Sequence, residues 1–180
     1  MAYTISDPQA GFLALSATDA GVISANNINI GSTTAAPTPP LYAGKIITAT
    51  DPTYGGGEFI LLLGVASTAV GSVVAYNQAT FQTALAPVGT NLPGPVAVAM
   101  SANLAATWGW YQISGIAVAA KGAGVSLLAG DAVGVSTIGL LSASATGKEV
   151  EGALVAVTAT TTATTLQVVL NRPVMQGRIT

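Results

Sequence analysis

Trp108-Gly109-Trp110-Tyr111-Gln112-Ile113-Ser114-Gly115-Ile116-Ala117-Val118-Ala119 is the stretch whose reading decides the fold class. It has no Lys, Glu or Arg to wet the outer face of a helix. Aromatic and β-branched residues suit a pleated, half-buried strand. Alternation puts Trp108 and Trp110 on one face, and Tyr111 and Ile113 on the other. A strand is expected over 110–119, with Gly109 permitting a bulge or a close backbone approach.

Working outward, the same grammar repeats. Short apolar runs at 59–65, 72–77, 96–100, 131–135, 152–158 and 165–171 are separated by turn-forming clusters such as Pro93-Gly94-Pro95, Gly130-Asp131 and Gly147-Lys148. Strand-sized runs at such spacing predict an all-β fold, a compact sandwich or barrel of short antiparallel strands. Alanine would favour helix by propensity, but the available polar residues are mostly Thr and Ser, which are weak in helix interiors. One short helix is expected over 79–86 (Ala-Thr-Phe-Gln-Thr-Ala-Leu-Ala).

Residues 1–57 read differently. Asn26-Asn27-Ile28-Asn29 and Pro37-Thr38-Pro39-Pro40 imply extended chain, because proline fixes φ and lacks a donor. The expected organisation is an extended N-terminal arm (1–57), a flexible joint at Gly55-Gly56-Gly57, and a β-rich body (58–180). Pieces at 12–15 and 46–47 could add isolated strands. Nothing before the first apolar stretch carries the Lys or Arg of a secretory signal. Residues 59–76 are uncharged, but Gly64, Ser67, Thr68, Gly71 and Ser72 punctuate them and no Lys/Arg cluster flanks them, so no membrane partner is expected.

The 180 residues hold 5 Lys+Arg, 7 Asp+Glu, no Cys and no His. Zinc sites built on Cys or His, Ser-His-Asp triads, Cys nucleophiles and disulfides are excluded. The slightly acidic balance argues against nucleic acid. Phosphate loops fail as well: Ser142 stands where Gly147-Lys148 would need its first glycine, and Glu149 where Ser or Thr should follow. Gly122-Ala123-Gly124 is followed by Leu127 at the third glycine of a dinucleotide fingerprint. No Ser-x-x-Lys occurs. Glu149 and Glu151 share a strand face and could serve as a cation site or hydrolytic pair, although beside Lys148 a solvated edge is the simpler reading. Asp7, Asp19, Asp51 and Asp131 sit in turn contexts, where carboxylates cap their own backbone. The expectation is therefore no enzyme, no catalytic residue, no cofactor and no metal.

Charged residues are 7% of the chain, against roughly 25% in an ordinary soluble domain. A monomer of this size exposes on the order of 8,000 Å². So few charges on that area imply a surface meant to pack against copies of itself or a partner. Candidate interface residues are Tyr3, Phe12, Pro39 and Tyr42 in the arm, and Trp108, Trp110 and Tyr111 in the body. The aromatic cluster admits two readings: a hot-spot patch for a partner or sugar, or the largest fillers of an Ala/Val/Gly core.

The order Glu58-Phe59-Ile60-Leu61-Leu62-Leu63, Trp108 to Gly115, Leu128-Ala129-Gly130-Asp131-Ala132-Val133, Glu151 to Val157 and Leu166 to Pro173 resembles small β-rich structural proteins of tailed-bacteriophage heads, capsid decoration (cement) proteins in particular. The resemblance implies a virion protein on the capsid exterior, assembled in the host cytoplasm. Its partners would be the major capsid protein and itself, as a homo-oligomer, commonly a trimer. It implies no catalysis and no cofactor. Residues 1–57 align with no pattern of that family. Other readings are a different phage capsid, tail or fibre component, and a carbohydrate-binding surface β-module using the Trp face.

Overall fold

β8 (Trp108–Ala120) is the strand on which the others are arranged. In this computed structural model, which describes residues 3–6, 14–16, 18–19 and 43–176, the chain is all-β and sandwich-like, with no helix among the described residues. Twelve strands join one antiparallel hydrogen-bonded network. One edge of that network is β1 (Thr4–Ile5), β3 (Ile46–Asp51) and β4 (Gly55–Leu63) leading to β8; beyond β8 lie β7 (Gly94–Ala99), β12 (Thr165–Met175), β11 (Glu149–Val155), β9 (Ala132–Thr137) and β10 (Leu140–Ala143). Off this path, β2 (Thr18–Asp19) pairs with β8, while β5 (Val73–Tyr76) pairs with β6 (Thr83–Leu85) and β7.

β8 holds three apolar clusters together. Its first half pairs with β4, from Leu63 opposite Trp108 to Glu58 opposite Ser114. Its second half pairs with β12, from Asn171 opposite Ser114 to Thr165 opposite Ala120. Around the first half the sheet is apolar on both faces. Phe59, Leu61, Trp108 and Trp110 enter one cluster with Ile47, Leu15 and Met100. Ile60, Leu62, Tyr111 and Ile113 enter the opposite one with Val74, Ala97 and Ala99. A strand covered on both faces needs a continuous apolar run, which is why 59–63 reads as unbroken hydrophobe. The second half of β8 contributes Ala117 and Ala119 to the largest core, with Val133, Val155, Leu166, Val168 and Leu170. Each large side chain fully buried here contributes about 1.5–3 kcal/mol.

The expected boundary between arm and body at 57/58 is corrected. β3 and β4 form a hairpin, with Asp51 opposite Gly55 and Ile47 opposite Phe59. Residues 43–176 therefore belong to the body. Gly55-Gly56-Gly57 is strand and no flexible joint, and the main chain of its middle residue lies tight against β8. Gly115 on β8 has φ +88, and a Cβ there would run into the Gly56 carbonyl oxygen. The earlier described residues also lie on the body. Thr4 pairs with Thr50, Thr18 with Gly109, and Leu15 is buried.

The helix expected over 79–86 is also corrected. Asn77 Oδ1 accepts hydrogen bonds from the backbone N–H groups of Ala79 (2.8 Å) and Thr80 (3.1 Å), and Phe81 has φ 57. This Asx turn offers the backbone a better local partner than a helix would. It returns the chain so that Thr83 pairs with Tyr76. No helix among the described residues is long and apolar enough to cross a membrane; 59–76 holds most of β4, a turn and β5.

Gly115→Ala is expected to destabilise the fold by about 3 kcal/mol, since it adds a main-chain clash to a left-handed φ. Gly124→Ala, with φ +76 and nothing within 4 Å of the added Cβ, is expected to cost only about 1 kcal/mol. Urea melts of the two variants check this; equal losses would refute the close-approach account.

Candidate interaction site

The aromatic row on β8 divides as alternation requires. Trp108 and Trp110 face the cluster that Leu15 helps to close, and Tyr111 faces the opposite one. Trp108 is 4% exposed, and Trp110 and Tyr111 are 0% exposed. This corrects their placement as interface residues: β3, β5, β7 and the earlier segments cover both faces of the β4–β8 ribbon, so the rings are core within one chain. Gly109 gives close approach, since a Cβ would lie 2.6 Å from both polar atoms of the Asn103 amide.

Asn103 is the hub of a buried polar group. It accepts from Ser101 Oγ (2.7 Å), and its Nδ2 donates to Tyr111 Oη (2.7 Å). Thr68 and Thr83, also buried, lie beside the phenol. Burial pushes the Tyr111 hydroxyl up to about 12, with Thr83, Asn103 and Thr68 opposing the shift. These contacts fix the loop before β8.

Of the arm candidates, Phe12, Pro39 and Tyr42 lie outside the described residues. Tyr3 is half-buried, packed edge-on against Phe59 with ring centroids 4.9 Å apart. Its hydroxyl donates to the Ile116 carbonyl (2.7 Å) and accepts from Gln112 Nε2 (3.2 Å). Tyr3 thus seals the body's own core.

The carboxylates act locally. Asp51 Oδ1 accepts from the N–H groups of Thr53 and Tyr54, and Asp131 Oδ2 from that of Leu128, as expected of turn aspartates. Glu149 receives Ser144 Oγ at 3.4 Å, and Glu151 is exposed. No group of three His, Cys, Asp or Glu able to hold a metal ion occurs among the described residues. Lys121 is 4% exposed and donates to the carbonyls of Gly122 (3.0 Å) and Ala163 (3.3 Å).

One cleft was not foreseen. It has a volume of about 330 Å³, with Ile46, Ile60, Phe81, Ile113 and Pro173 in its walls and Tyr76 and Arg172 among its lining. Ile46 stands opposite Ile60, and Ile60 opposite Tyr111, so the cleft is the open end of the apolar face running across β3, β4 and β8. Arg172 Nε and Nη2 each donate to Glu58 at 3.1 Å. That bond holds the guanidinium above its ordinary pKa, and burial raises the Tyr76 hydroxyl. Because Glu58 cancels Arg172, the cleft can hold an uncharged apolar group and offers no net charge to an ionic ligand. Glu58 and Arg172 are 114 positions apart, and no sequence motif links them.

Comparison with known protein families finds no match to this chain, and comparison with curated proteins finds none.

The buried Tyr111 hydroxyl makes the fold sensitive to alkali. The folded state holds the proton more tightly than the unfolded chain, so this stabilisation is complete below about pH 10 and is lost as pH rises through about 12. The Tyr111 contribution is on the order of 2–3 kcal/mol. Urea melts at pH 9 and 11.5 should show a steep alkaline loss in the wild type and a shallower one in Tyr111→Phe. Equal slopes would contradict it.

Proposed function

We propose that this chain is a non-enzymatic virion structural protein that decorates the outside of a tailed-phage capsid and stabilises the shell. The observation that carries the reading is how little unpaired charge the described surface carries. Lys121 and Asp51 are buried, and Glu58 and Arg172 are spent on each other. Of the charged side chains described, Lys45, Asp131, Lys148, Glu149 and Glu151 remain for solvent or a partner. Among the described residues the rest of the surface is mostly small, hydroxylic or apolar, with Val70, Leu104, Leu128, Ile138 and Val157 all more than half exposed. Permanent interfaces have this character, being depleted in charge and more apolar than free surface.

The sequence resemblance to decoration proteins supports the same reading, as does an all-β body suited to a rigid surface subunit. The carbohydrate alternative loses its carrier, since Trp108 and Trp110 offer no exposed ring for stacking. A binder of the assembled state raises its apparent stability by mass action, by about 2.7 kcal/mol at a hundred times Kd.

The protein is expected to co-sediment saturably with purified capsid shells and to raise their melting temperature. Shells that neither bind it nor melt higher, across phage types, would overturn the proposal. Binding only to tails or fibres would move it to another part of the virion.

A further inference from the structure

Residues 3–6 lie on the body as a strap fastened along one side. Among the described residues β1 pairs with β3 alone, Thr4 opposite Thr50 and Ile5 opposite Ala49, and the Ser6 N–H donates to the Thr48 carbonyl at 3.0 Å. Tyr3 and Ile5 turn inward and are half-buried, while Thr4 and Ser6 are exposed. The chain is fastened a second time at Leu15, which is buried, and at Thr18 and Asp19, which pair with Gly109 and Trp108. The two fastenings are separate, so one can be undone without the other.

The seat under the strap is satisfied without it. Gln112 Nε2 has two N–H groups and three acceptors: Tyr3 Oη at 3.2 Å, and the Ser114 and Ile116 carbonyls at 3.1 Å each. With Tyr3 gone, each N–H still has a carbonyl of β8 to meet. The Ile116 carbonyl, which loses the Tyr3 hydroxyl, keeps Nε2. One group gains by the departure. Gln112 Oε1 is buried without a partner among the described residues, on the same carbon as the nitrogen that the phenol touches. The closed strap therefore holds an acceptor away from water, at a cost that lifting the phenol relieves.

We infer that residues 3–6 are a latch. They open and close as a unit over β3 and Phe59 while the body stays folded, and the empty seat accepts an extended segment with an inward-facing tyrosine. The inference stands apart from the virion reading. A short outer strand with few buried apolar contacts is where local opening is cheapest. The occupant is defined by the segment that the seat already holds: a ring edge-on to Phe59, a hydroxyl between Gln112 and the Ile116 carbonyl, and a main chain laid along Thr48 to Thr50. Because the groups of β8 stay bonded to one another, the seat keeps its shape when the latch is up.

The chain has no cysteine, so single reporters read the opening. Ala49, opposite Ile5, and Ala119, in the largest core, are both 0% exposed. In the full chain, Ala49→Cys is expected to react with a thiol reagent roughly a hundredfold faster than Ala119→Cys, at a rate that urea well below the melt hardly changes, because the latch exposes little surface. Adding Tyr3→Ala to Ala49→Cys is expected to raise that rate further. A synthetic peptide of residues 1–8 at millimolar concentration should then restore protection severalfold, and the same peptide carrying Tyr3→Ala should not. If Ala49→Cys reacts no faster than Ala119→Cys, or with the same steep urea dependence, the strap leaves only with the whole fold and the latch is refuted. A rate that Tyr3→Ala leaves unchanged, or that the peptide does not lower, overturns the seat. Should Ala49→Cys not fold, amide exchange in the unsubstituted chain makes the same comparison. The Ser6 N–H is expected to exchange roughly a hundredfold faster than the Ala99 N–H, which bonds to the Ser72 carbonyl at 2.9 Å; equal protection is the contrary result.

Discussion

Two neighbouring strands with apolar side chains on both faces must be covered twice. β4 and the first half of β8 impose that condition, and much of the architecture answers it. β5, β6 and β7 close the side holding Ile60, Leu62 and Tyr111. The inward residues of β3, with Leu15, Tyr3 and Ile5, close the side holding Phe59, Leu61 and Trp110. The second cover is built from distant, short pieces, so its seams matter. One is Gln112, fully buried opposite Phe59, whose Nε2 donates to Tyr3 Oη and to two carbonyls while its Oε1 has no partner among the described residues. A buried, unmade hydrogen bond costs about 1–3 kcal/mol. The amide therefore depends on the contacts that its other end makes, Tyr3 included.

The scarcity of charge has a counterpart inside. Lys121 lies against main-chain carbonyls, and the Ser101–Asn103–Tyr111 group ties a loop to the sheet. Polar groups here serve chain geometry more than solubility. The Glu58–Arg172 pair follows the same pattern. It joins β4 to β12 where both strands are irregular: the β4–β8 register shifts between Glu58 and Phe59, and Arg172 takes a positive φ before Pro173. An exposed ion pair contributes little on its own. Its importance lies in leaving the neighbouring sheet face and the cleft without net charge.

Much of the β architecture was legible in the residues. The runs assigned to β4, β5, β7, β8, β9, β11 and β12 all became strands, because alternating or continuous Val, Ile, Leu and aromatic residues carry their own period. The side-chain alternation of Trp108, Trp110, Tyr111 and Ile113 was readable for the same reason. β6 and β10 were not, being three and four residues long and held by pairing rather than composition. β3 was half seen as Ile46-Ile47, because Thr48, Thr50 and Asp51 mask a strand whose inward face is Ile47 and Ala49. Glycine misled at 55–57, which lie within β4, where Gly115 of β8 passes close to the Gly56 carbonyl. Whether a large ring is core or contact depends on what lies over it, and the covering segments lie as much as a hundred positions away. The cleft was invisible for a related reason: its walls come from distant strands.

The seat of Tyr3 also bears on the order of events during synthesis. Its acceptor, the Ile116 carbonyl, lies 113 residues further along the chain. At the usual pace of translation the early segment waits on the order of ten seconds before that strand exists. Closing so wide a loop costs entropy that only the finished sheet can offset. The segment around Tyr3 is thus among the last to find its place, and it completes a wall whose other components are already standing.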